Sequence, residues 1–181
     1  MRPAVFMDRD GVLVENVEDY IRRWEQVEFY DQAFRAVKRL HDSPYEMVVI
    51  SNQSLVGRGI MALEDVLTLN RQILDVFESQ GVQFEGAYIC PHAPEDDCDC
   101  RKPKPGMVLR AAREHDLDLG SSYFVGDALT DMEAAEAAGV KGILVRTGRG
   151  SRTIEELGPE VRWPIASDLD EAVSIILRSH A

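Results

Sequence analysis

Two aspartates, Asp8 and Asp10, flank Arg9 directly after a short apolar run near the start of the chain. On extended backbone, residues two apart project from the same face, with their backbones roughly 6 to 7 Å apart. Two carboxylates so placed can divide the labour of phosphoryl transfer, one attacking phosphorus and the other acting as acid and base. Crowded anions need a cation, and oxygen ligands favour Mg²⁺. A plain turn is the competing interpretation, because Asp-Gly at 10–11 favours one by itself.

A second acidic corner follows a later apolar run, where Gly126-Asp127 precedes Thr130-Asp131. Asp127 is placed to complete a magnesium site with Asp8 and Asp10. Thr130 is predicted to cap the next helix, and Asp131 falls in its first turn, where negative charge is favoured. For Asp131 we therefore expect a capping or supporting role.

Uncharged polar residues and a basic segment supply candidates for phosphate binding. Ser51 and Asn52 end another apolar run, and both can hydrogen-bond phosphate oxygens without adding charge. Lys102 can neutralise charge that develops during phosphoryl transfer. Lys104, two residues further on, is predicted to belong to a solvated basic patch.

Three cysteines and one histidine lie within eleven residues, as Cys90-x-His92-x5-Cys98-x-Cys100. This ligand set matches a closed, tetrahedral, structural Zn²⁺ site, which leaves no position for a catalytic water. An odd number of clustered cysteines beside a histidine also favours metal binding in a reducing compartment over a disulfide framework. Free thiols beside an unrelated histidine are the alternative.

Short apolar runs alternate with amphipathic stretches along the chain, which predicts βαβ units. Strands are expected at 3–6, 47–50, 87–90, 123–125 and 143–145, and helices at 34–40, 63–77, 107–115, 131–138 and 169–177. The fold class predicted is α/β: a three-layer, Rossmann-like parallel sheet with helices on both faces, forming a single domain over residues 1–181. Such sheets carry their sites at the carboxyl ends of the strands, where four of the five predicted strands end in the polar clusters above.

Composition limits the partners. The formal net charge is −12, and no long run of basic residues offers a footprint for nucleic acid. No stretch approaches the ~18 apolar residues of a membrane span, and the first apolar run is too short for a signal peptide. We expect a cytoplasmic monomer with neither a nucleic-acid nor a membrane partner.

Taken in order, these clusters resemble the motifs of the haloacid dehalogenase superfamily of phosphatases, and the resemblance covers nearly the whole chain. The matching residues are Asp8-x-Asp10-Gly11-Val12, Ser51, Lys102 and Gly126-Asp127-x3-Asp131. The resemblance implies a phospho-aspartyl intermediate on Asp8, with Asp10 as the acid/base. It also implies that Mg²⁺ is held by the Asp8 carboxylate, the Asp10 backbone carbonyl and Asp127, and that Ser51 and Lys102 hold the phosphoryl group.

The zinc loop and Arg101-Lys102-Pro103 resemble the branch that holds the heptose 1,7-bisphosphate 7-phosphatases and the histidinol-phosphate phosphatases. The resemblance to the heptose enzymes implies a small phosphorylated sugar as substrate, and Arg101 would contact it. The motifs lie too close together for a cap domain, so we expect a capless member whose loops, including 16–20 and the zinc loop, set specificity. Arg58-Gly59 favours the heptose enzymes, whereas Ala128 and a loop at 15–20 without glycine depart from them.

Three alternatives to a heptose bisphosphatase remain at this stage. A histidinol-phosphate phosphatase shares the zinc loop and the chemistry. A phosphotransferase would share the aspartyl-phosphate step. A zinc-stabilised binding module without activity would need to lack a catalytic residue, yet Asp8, Asp10 and Asp127 are all present.

Overall fold

A parallel sheet with the strand order β3-β2-β1-β4-β5-β6 forms the centre of the protein, as seen in a computed structural model that describes residues 1–18 and 20–179. The strands are β1 Ala4–Met7, β2 Glu46–Asn52, β3 Gly86–Cys90, β4 Tyr123–Gly126, β5 Lys141–Val145 and β6 Ile165–Ala166. The helices are α1 Asp31–His41, α2 Leu63–Glu78, α3 Gly106–His115, α4 Leu129–Ala138, α5 Gly150–Leu157 and α6 Leu169–Arg178. All strand pairs are parallel, in agreement with the predicted fold class.

Strand β1 is buried on both faces because helices cover both sides of the sheet. Val5 and Met7 pack in one apolar cluster with residues of α1, α2 and α6. Ala4 and Phe6 face the other way, into a second cluster with α3 and α4. Alternate residues of one continuous apolar strand thus serve two cores, as expected for a parallel sheet covered twice.

Two elements, β6 and α5, are absent from the sequence prediction. Strand β6 has two residues, which is too short for an apolar run to stand out. Helix α5 has the sequence GSRTIEEL, in which only Ile154 and Leu157 are large and apolar, so no periodic stripe marks it. The five predicted strands are all present, with ends that differ by one or two residues.

The connections after β1 and β2 hold no cap domain in the described part of the chain. Between β1 and β2 lie a loop, a short 3₁₀ turn at Trp24–Gln26 and α1, and between β2 and β3 lies only α2 with its flanking loops. The site at the strand ends is therefore covered by loops alone. Of the helices described, none is both long enough and apolar enough to cross a membrane.

Candidate active site

The carboxyl ends of β1, β2 and β4 and the loop after β3 meet at a cavity of about 200 Å³. Its lining brings together most of the residues predicted from the sequence. They are Asp8, Asp10, Asn52, Arg101, Lys102 and Asp127, joined by Asn16, Val17, Tyr20, Ile21, Ser54, Ala128, Thr130, Asp131 and Arg149. The sequence expectation that strand ends share one site is confirmed in geometry.

Asp8 directly follows β1 and is fixed by the sheet itself. Its backbone N–H donates to the carbonyl oxygen of Val125, 3.0 Å away, which extends the contact between β1 and β4 by one residue. Its carboxylate Oδ1 accepts from the N–H of Arg9, and Oδ2 lies 3.1 Å from Lys102 Nζ. The carboxylate is thus held at the floor of the cavity, between the sheet and a lysine.

Lys102 is almost completely buried, with 2% of its side chain exposed, and its ammonium is surrounded by oxygen. Nζ lies 3.1 Å from Asp8 Oδ2, 2.7 Å from Asp131 Oδ1 and 3.0 Å from the carbonyl oxygen of Ile50. Burial lowers the pKa of this amine, but Asp131 and Asp8 outweigh it, so the pKa lies above its usual range. The lysine is therefore a fixed positive charge beside Asp8.

Asn52 clamps the backbone of Lys102. Its Nδ2 donates to the Lys102 carbonyl oxygen and its Oδ1 accepts from the Lys102 N–H, each over 3.1 Å. The side-chain amide of Asn52 thus forms the two hydrogen bonds to the Lys102 backbone that an adjacent strand would otherwise form. Asn52, predicted as a phosphate contact, lines the cavity while holding the lysine in place.

Asp131 caps α4 from inside the helix. Its Oδ2 accepts from the backbone N–H groups of Asp127 and Ala128, each at 3.1 Å, which satisfies two donors at the helix start. The prediction that Thr130 caps this helix is wrong: α4 begins at Leu129, after Ala128. The capping role expected for Asp131 is confirmed, and its Oδ1 additionally pairs with Lys102.

Three carboxylates crowd the floor of the cavity against one ammonium. Oxygens of Asp8, Asp127 and Asp131 all lie within 4.8 Å of one another. Burial raises the pKa of Asp8 well above its usual value; Lys102 opposes that rise, whereas the neighbouring carboxylates add to it. Burial, with Asp131 adding to it, also raises the pKa of Asp127 to about 7. This excess of buried negative charge, on hard oxygen donors, fits a divalent cation.

Glycine backbone packs closely around Asp127. A Cβ on Gly11, where φ is +87°, would lie 2.1 Å from Asp127 Oδ2, and one on Gly148 would lie 2.3 Å from the same atom. The backbone N–H of Arg149 donates to that oxygen over 2.7 Å. Only residues without a side chain fit at these two positions, so the Gly after Asp10 has a steric role beyond its turn.

Asp10 lines the same cavity, but its side chain stays out of the three-carboxylate group. Arg9 holds it in a bidentate pair, with Nε to Oδ1 at 3.0 Å and Nη2 to Oδ2 at 2.9 Å. Gln53 Nε2 adds a third donor at 2.9 Å and also donates to Ser51 Oγ. Ser51 is 1% exposed and is not among the residues lining the cavity.

Sequence reasoning assigned no role to Arg9 or Gln53. Arg9 is 1% exposed, which is rare for an arginine without a specific partner. Gln53 belongs to the polar strand end that begins with Ser51, so a role in the site could have been predicted from its position. The burial of Arg9 could not have been predicted, because an arginine between two aspartates is also typical of a solvated turn.

Arg101 lies at the wall of the cavity. Its Nη1 donates to Ser54 Oγ at 2.7 Å and to the carbonyl oxygen of His92 at 3.2 Å. Its guanidinium is therefore tied to the loop that carries the cysteines. Lys104 points away and pairs with Asp97 on the surface, as predicted for a solvated cation.

The Cys/His cluster forms a compact set of donors. Cys100 Sγ lies 3.2 Å from Cys90 Sγ, 3.5 Å from Cys98 Sγ and 3.3 Å from His92 Nδ1. Cys90 Sγ lies 3.6 Å from both Cys98 Sγ and His92 Nδ1. Tetrahedral zinc with bonds of about 2.3 Å holds sulfurs under 4 Å apart, so the four donors fit one such ion.

Fold and site together define a hydrolase of the haloacid dehalogenase type, with an acidic, lysine-bearing site at the strand ends of a parallel sheet. The sequence profile described as HAD-hydrolase-like matches residues 99–172. Full-length relatives place the chain more narrowly. A D-glycero-beta-D-manno-heptose-1,7-bisphosphate 7-phosphatase of Pseudomonas aeruginosa is 34% identical over 98% of this chain and 99% of its own. The enzyme of that name from Vibrio cholerae is 39% identical over 98% and 97%.

A solved structure agrees with these relatives. The crystal structure of a D,D-heptose 1,7-bisphosphate phosphatase from B. bronchiseptica, complexed with magnesium and phosphate, superposes with a TM-score of 0.91. It is 29% identical and covers 98% of this chain and 99% of that one. The chain belongs to the family of D-glycero-beta-D-manno-heptose-1,7-bisphosphate 7-phosphatases.

The raised pKa of Asp127 predicts how stability responds to pH and to metal. Because the folded-state pKa lies above the unfolded value, ionising Asp127 costs free energy, so metal-free protein should lose stability as pH rises from about 4 to about 7. Mg²⁺ needs the ionised carboxylate and should raise Tm more near pH 8 than near pH 5. Scanning fluorimetry of wild type and Asp127→Asn measures both effects. Equal magnesium shifts at the two pH values, or a full shift in the variant, would contradict this account.

Proposed function

We propose that this protein is a Mg²⁺-dependent phosphatase that removes the 7-phosphate of D-glycero-D-manno-heptose 1,7-bisphosphate through a phospho-aspartyl intermediate on Asp8. One observation carries the chemistry: the Asp8 carboxylate lies at the floor of an open cavity, 3.1 Å from the buried Lys102 ammonium, and Asp10 lines the same cavity. The substrate follows from the full-length relatives, whose names specify the heptose bisphosphate and its beta anomer.

In the first step Asp8 attacks phosphorus, and the bond from phosphorus to the sugar oxygen breaks. Asp10 gives its proton to that leaving oxygen. In the second step Asp10 takes a proton from water as the water attacks the phospho-aspartate, which releases inorganic phosphate and restores Asp8. The three donors from Arg9 and Gln53 hold Asp10 in one orientation for both transfers.

The phosphoryl group meets fixed positive charge when it is transferred. Lys102 stands beside the attacking oxygen and neutralises charge that develops on the phosphoryl oxygens. Asn52 acts with it by holding its backbone. Ser51, predicted as a phosphate contact, does not line the cavity and instead accepts a hydrogen bond from Gln53, which in turn donates to Asp10.

Mg²⁺ would be held by the carboxylates of Asp8 and Asp127 and by the backbone carbonyl of Asp10. When bound, it supplies positive charge to the transferred phosphoryl group. Asp131 supports this set by capping α4 and pairing with Lys102. The solved relative named with magnesium and phosphate supports this cofactor.

Zn²⁺ would be held by Cys90, His92, Cys98 and Cys100 as a structural ion. With all four donors committed, its contribution is to shape the loop. That loop positions Arg101, the residue directly after Cys100. Through Asn52 and Ser54, the same segment is tied to the end of β2.

Two observations disfavour histidinol phosphate as the substrate: the relatives are named as heptose bisphosphatases, and the cavity wall carries the cationic Arg101. Histidinol phosphate has a single phosphate and a cationic amine, which Arg101 would repel. A bisphosphate gains from Arg101, because its second phosphate stays on the sugar while the first is cleaved. No observation favours the inactive binding module, since each catalytic residue is present and faces or adjoins the cavity.

Asp8→Asn should abolish turnover with the fold intact, because an amide is nearly isosteric but a far poorer nucleophile. Asp10→Asn should lose roughly 10²- to 10⁴-fold in kcat. Phosphate release measures both, circular dichroism confirms folding, and Asp97→Asn on the surface is the matched control. Near-normal turnover by Asp8→Asn would disprove the mechanism.

Mild chelation should remove magnesium from the protein and leave zinc bound. Magnesium, with few protein ligands, should leave and be restored with full activity, whereas zinc should stay bound. Elemental analysis after chelator-free, reducing purification should find one zinc per chain, and Cys98→Ser should lower it and reduce Tm. Protein without zinc under those conditions would contradict the four-ligand site.

Arg101→Ala should lower kcat/KM for the heptose bisphosphate by roughly 10- to 100-fold, the range for losing a charged hydrogen bond, and far less for a small phosphate ester. Lys102→Ala should damage both substrates equally, because it contacts the transferred group. Arg113→Ala, on the exposed face of α3, is the control. A higher kcat/KM of wild type for histidinol phosphate would overturn the heptose assignment and leave only the phosphatase chemistry.

A further inference from the structure

Arg149 lies between β5 and α5 and lines two adjoining cavities. One is the 200 Å³ cavity around Asp8, and the other is an outer depression of about 490 Å³. Asn16 also lines both, so the two spaces adjoin at these two residues. The outer depression is completed by Glu18, Gly148, Arg152, Thr153 and Glu156.

Arg149 is exposed, and the positive charge of its guanidinium lowers the pKa of Asp127 without a direct ion pair. Among the described residues, no carboxylate lies within 4.0 Å of it and no side-chain hydrogen bond is formed by it. The other cations of the inner cavity are engaged: Lys102 by two carboxylates, and Arg101 by Ser54 and a backbone carbonyl. In a chain with a net charge of −12, a free arginine beside the catalytic cavity is an available anion contact.

The backbone that carries Arg149 is held at three consecutive residues. Thr147 Oγ1 donates to the Gly11 carbonyl oxygen at 2.6 Å, and Gly148 N–H donates to Tyr30 Oη at 3.1 Å. Arg149 N–H donates to Asp127 Oδ2 at 2.7 Å. The backbone of Arg149 is therefore anchored to the strand ends that line the cavity, while its guanidinium forms no hydrogen bond with the described residues.

The size of the inner cavity requires a contact further out. Pockets that enclose a whole small-molecule ligand usually measure about 300 to 1,000 Å³. A cavity of about 200 Å³ holds the phosphoryl group that reacts and part of the sugar. The rest of a sugar bisphosphate must extend past the rim, where the outer depression begins at Asn16 and Arg149.

We propose that Arg149 binds the phosphate that stays on the sugar, so that it and Arg101 together select a bisphosphate over a monophosphate. This inference rests on the proposed function and adds a residue to it. A planar guanidinium can bind a phosphate through two parallel hydrogen bonds, which fixes the far end of the substrate. Glu18 in the outer depression forms no ion pair with Arg149 and leaves it available.

The test compares Arg149→Met with Arg113→Met. Arg113 is an exposed arginine of α3 that lines neither cavity. The measured quantity is the ratio of kcat/KM for the heptose 1,7-bisphosphate to that for the heptose 7-phosphate. Arg149→Met should reduce this ratio roughly 10- to 100-fold, mainly through KM of the bisphosphate, whereas Arg113→Met should retain it.

Binding separates this inference from the proposed function. Calorimetry of the bisphosphate on Asp8→Asn protein, with and without Arg149→Met, reports the contact without turnover. A weaker Kd in the double variant supports the arginine even if wild type fails to hydrolyse the bisphosphate, an outcome that would refute the function alone. An unchanged ratio and Kd in the Arg149 variants, or an equal loss in Arg113→Met, would overturn the inference.

Discussion

Everything at the strand ends depends on one buried ammonium, that of Lys102, placed among three carboxylates. Without it, Asp8, Asp127 and Asp131 would bring like charges into a space with little water, at a cost of several kcal/mol for each uncompensated ion. With it, the group still carries excess negative charge, which the raised pKa values of Asp8 and Asp127 express. The site therefore favours a further cation or a proton. That bias toward cation binding underlies the proposed chemistry.

The lysine itself is held by elements far apart in the chain. Asn52 fixes its backbone from β2, Ile50 accepts from its ammonium, and Asp131 approaches from the first turn of α4. The Cys/His loop leads directly into it, since Cys100 precedes Lys102 by two residues. The structural and catalytic roles proposed for these residues therefore share one short segment. A disturbance of the Cys/His cluster would reach the cavity directly along the backbone, because Cys100, Arg101 and Lys102 are consecutive residues.

The sequence predicted the parts of the site that lie on regular elements. Asp8 and Asp127 follow buried apolar strands and Asn52 ends one, and parallel strands end at the same edge of a sheet, so the proximity of these residues could be inferred. The spacing of the three cysteines and the histidine likewise predicted that their four donor atoms lie together. What failed was local detail that depends on three-dimensional contacts: α4 is capped by Asp131 and not by Thr130, because the carboxylate reaches back to two backbone N–H groups. Arg149 carried no signal, because its proximity to Asp127 arises only when β5 pairs with β4.

The position of β1 in the sheet also determines when, during its synthesis, the chain can complete its folding. As the chain is synthesised, β1 emerges first, yet its two partners are β2 and, more than a hundred residues later, β4. A nascent chain that ends before residue 123 therefore has one side of its most buried strand unpaired. Pairings so distant in sequence form slowly and leave apolar edges exposed meanwhile. Because Asp8 and Asp131 stand on the two sides of that last pairing, the ribosome must release most of the chain before these two carboxylates can meet.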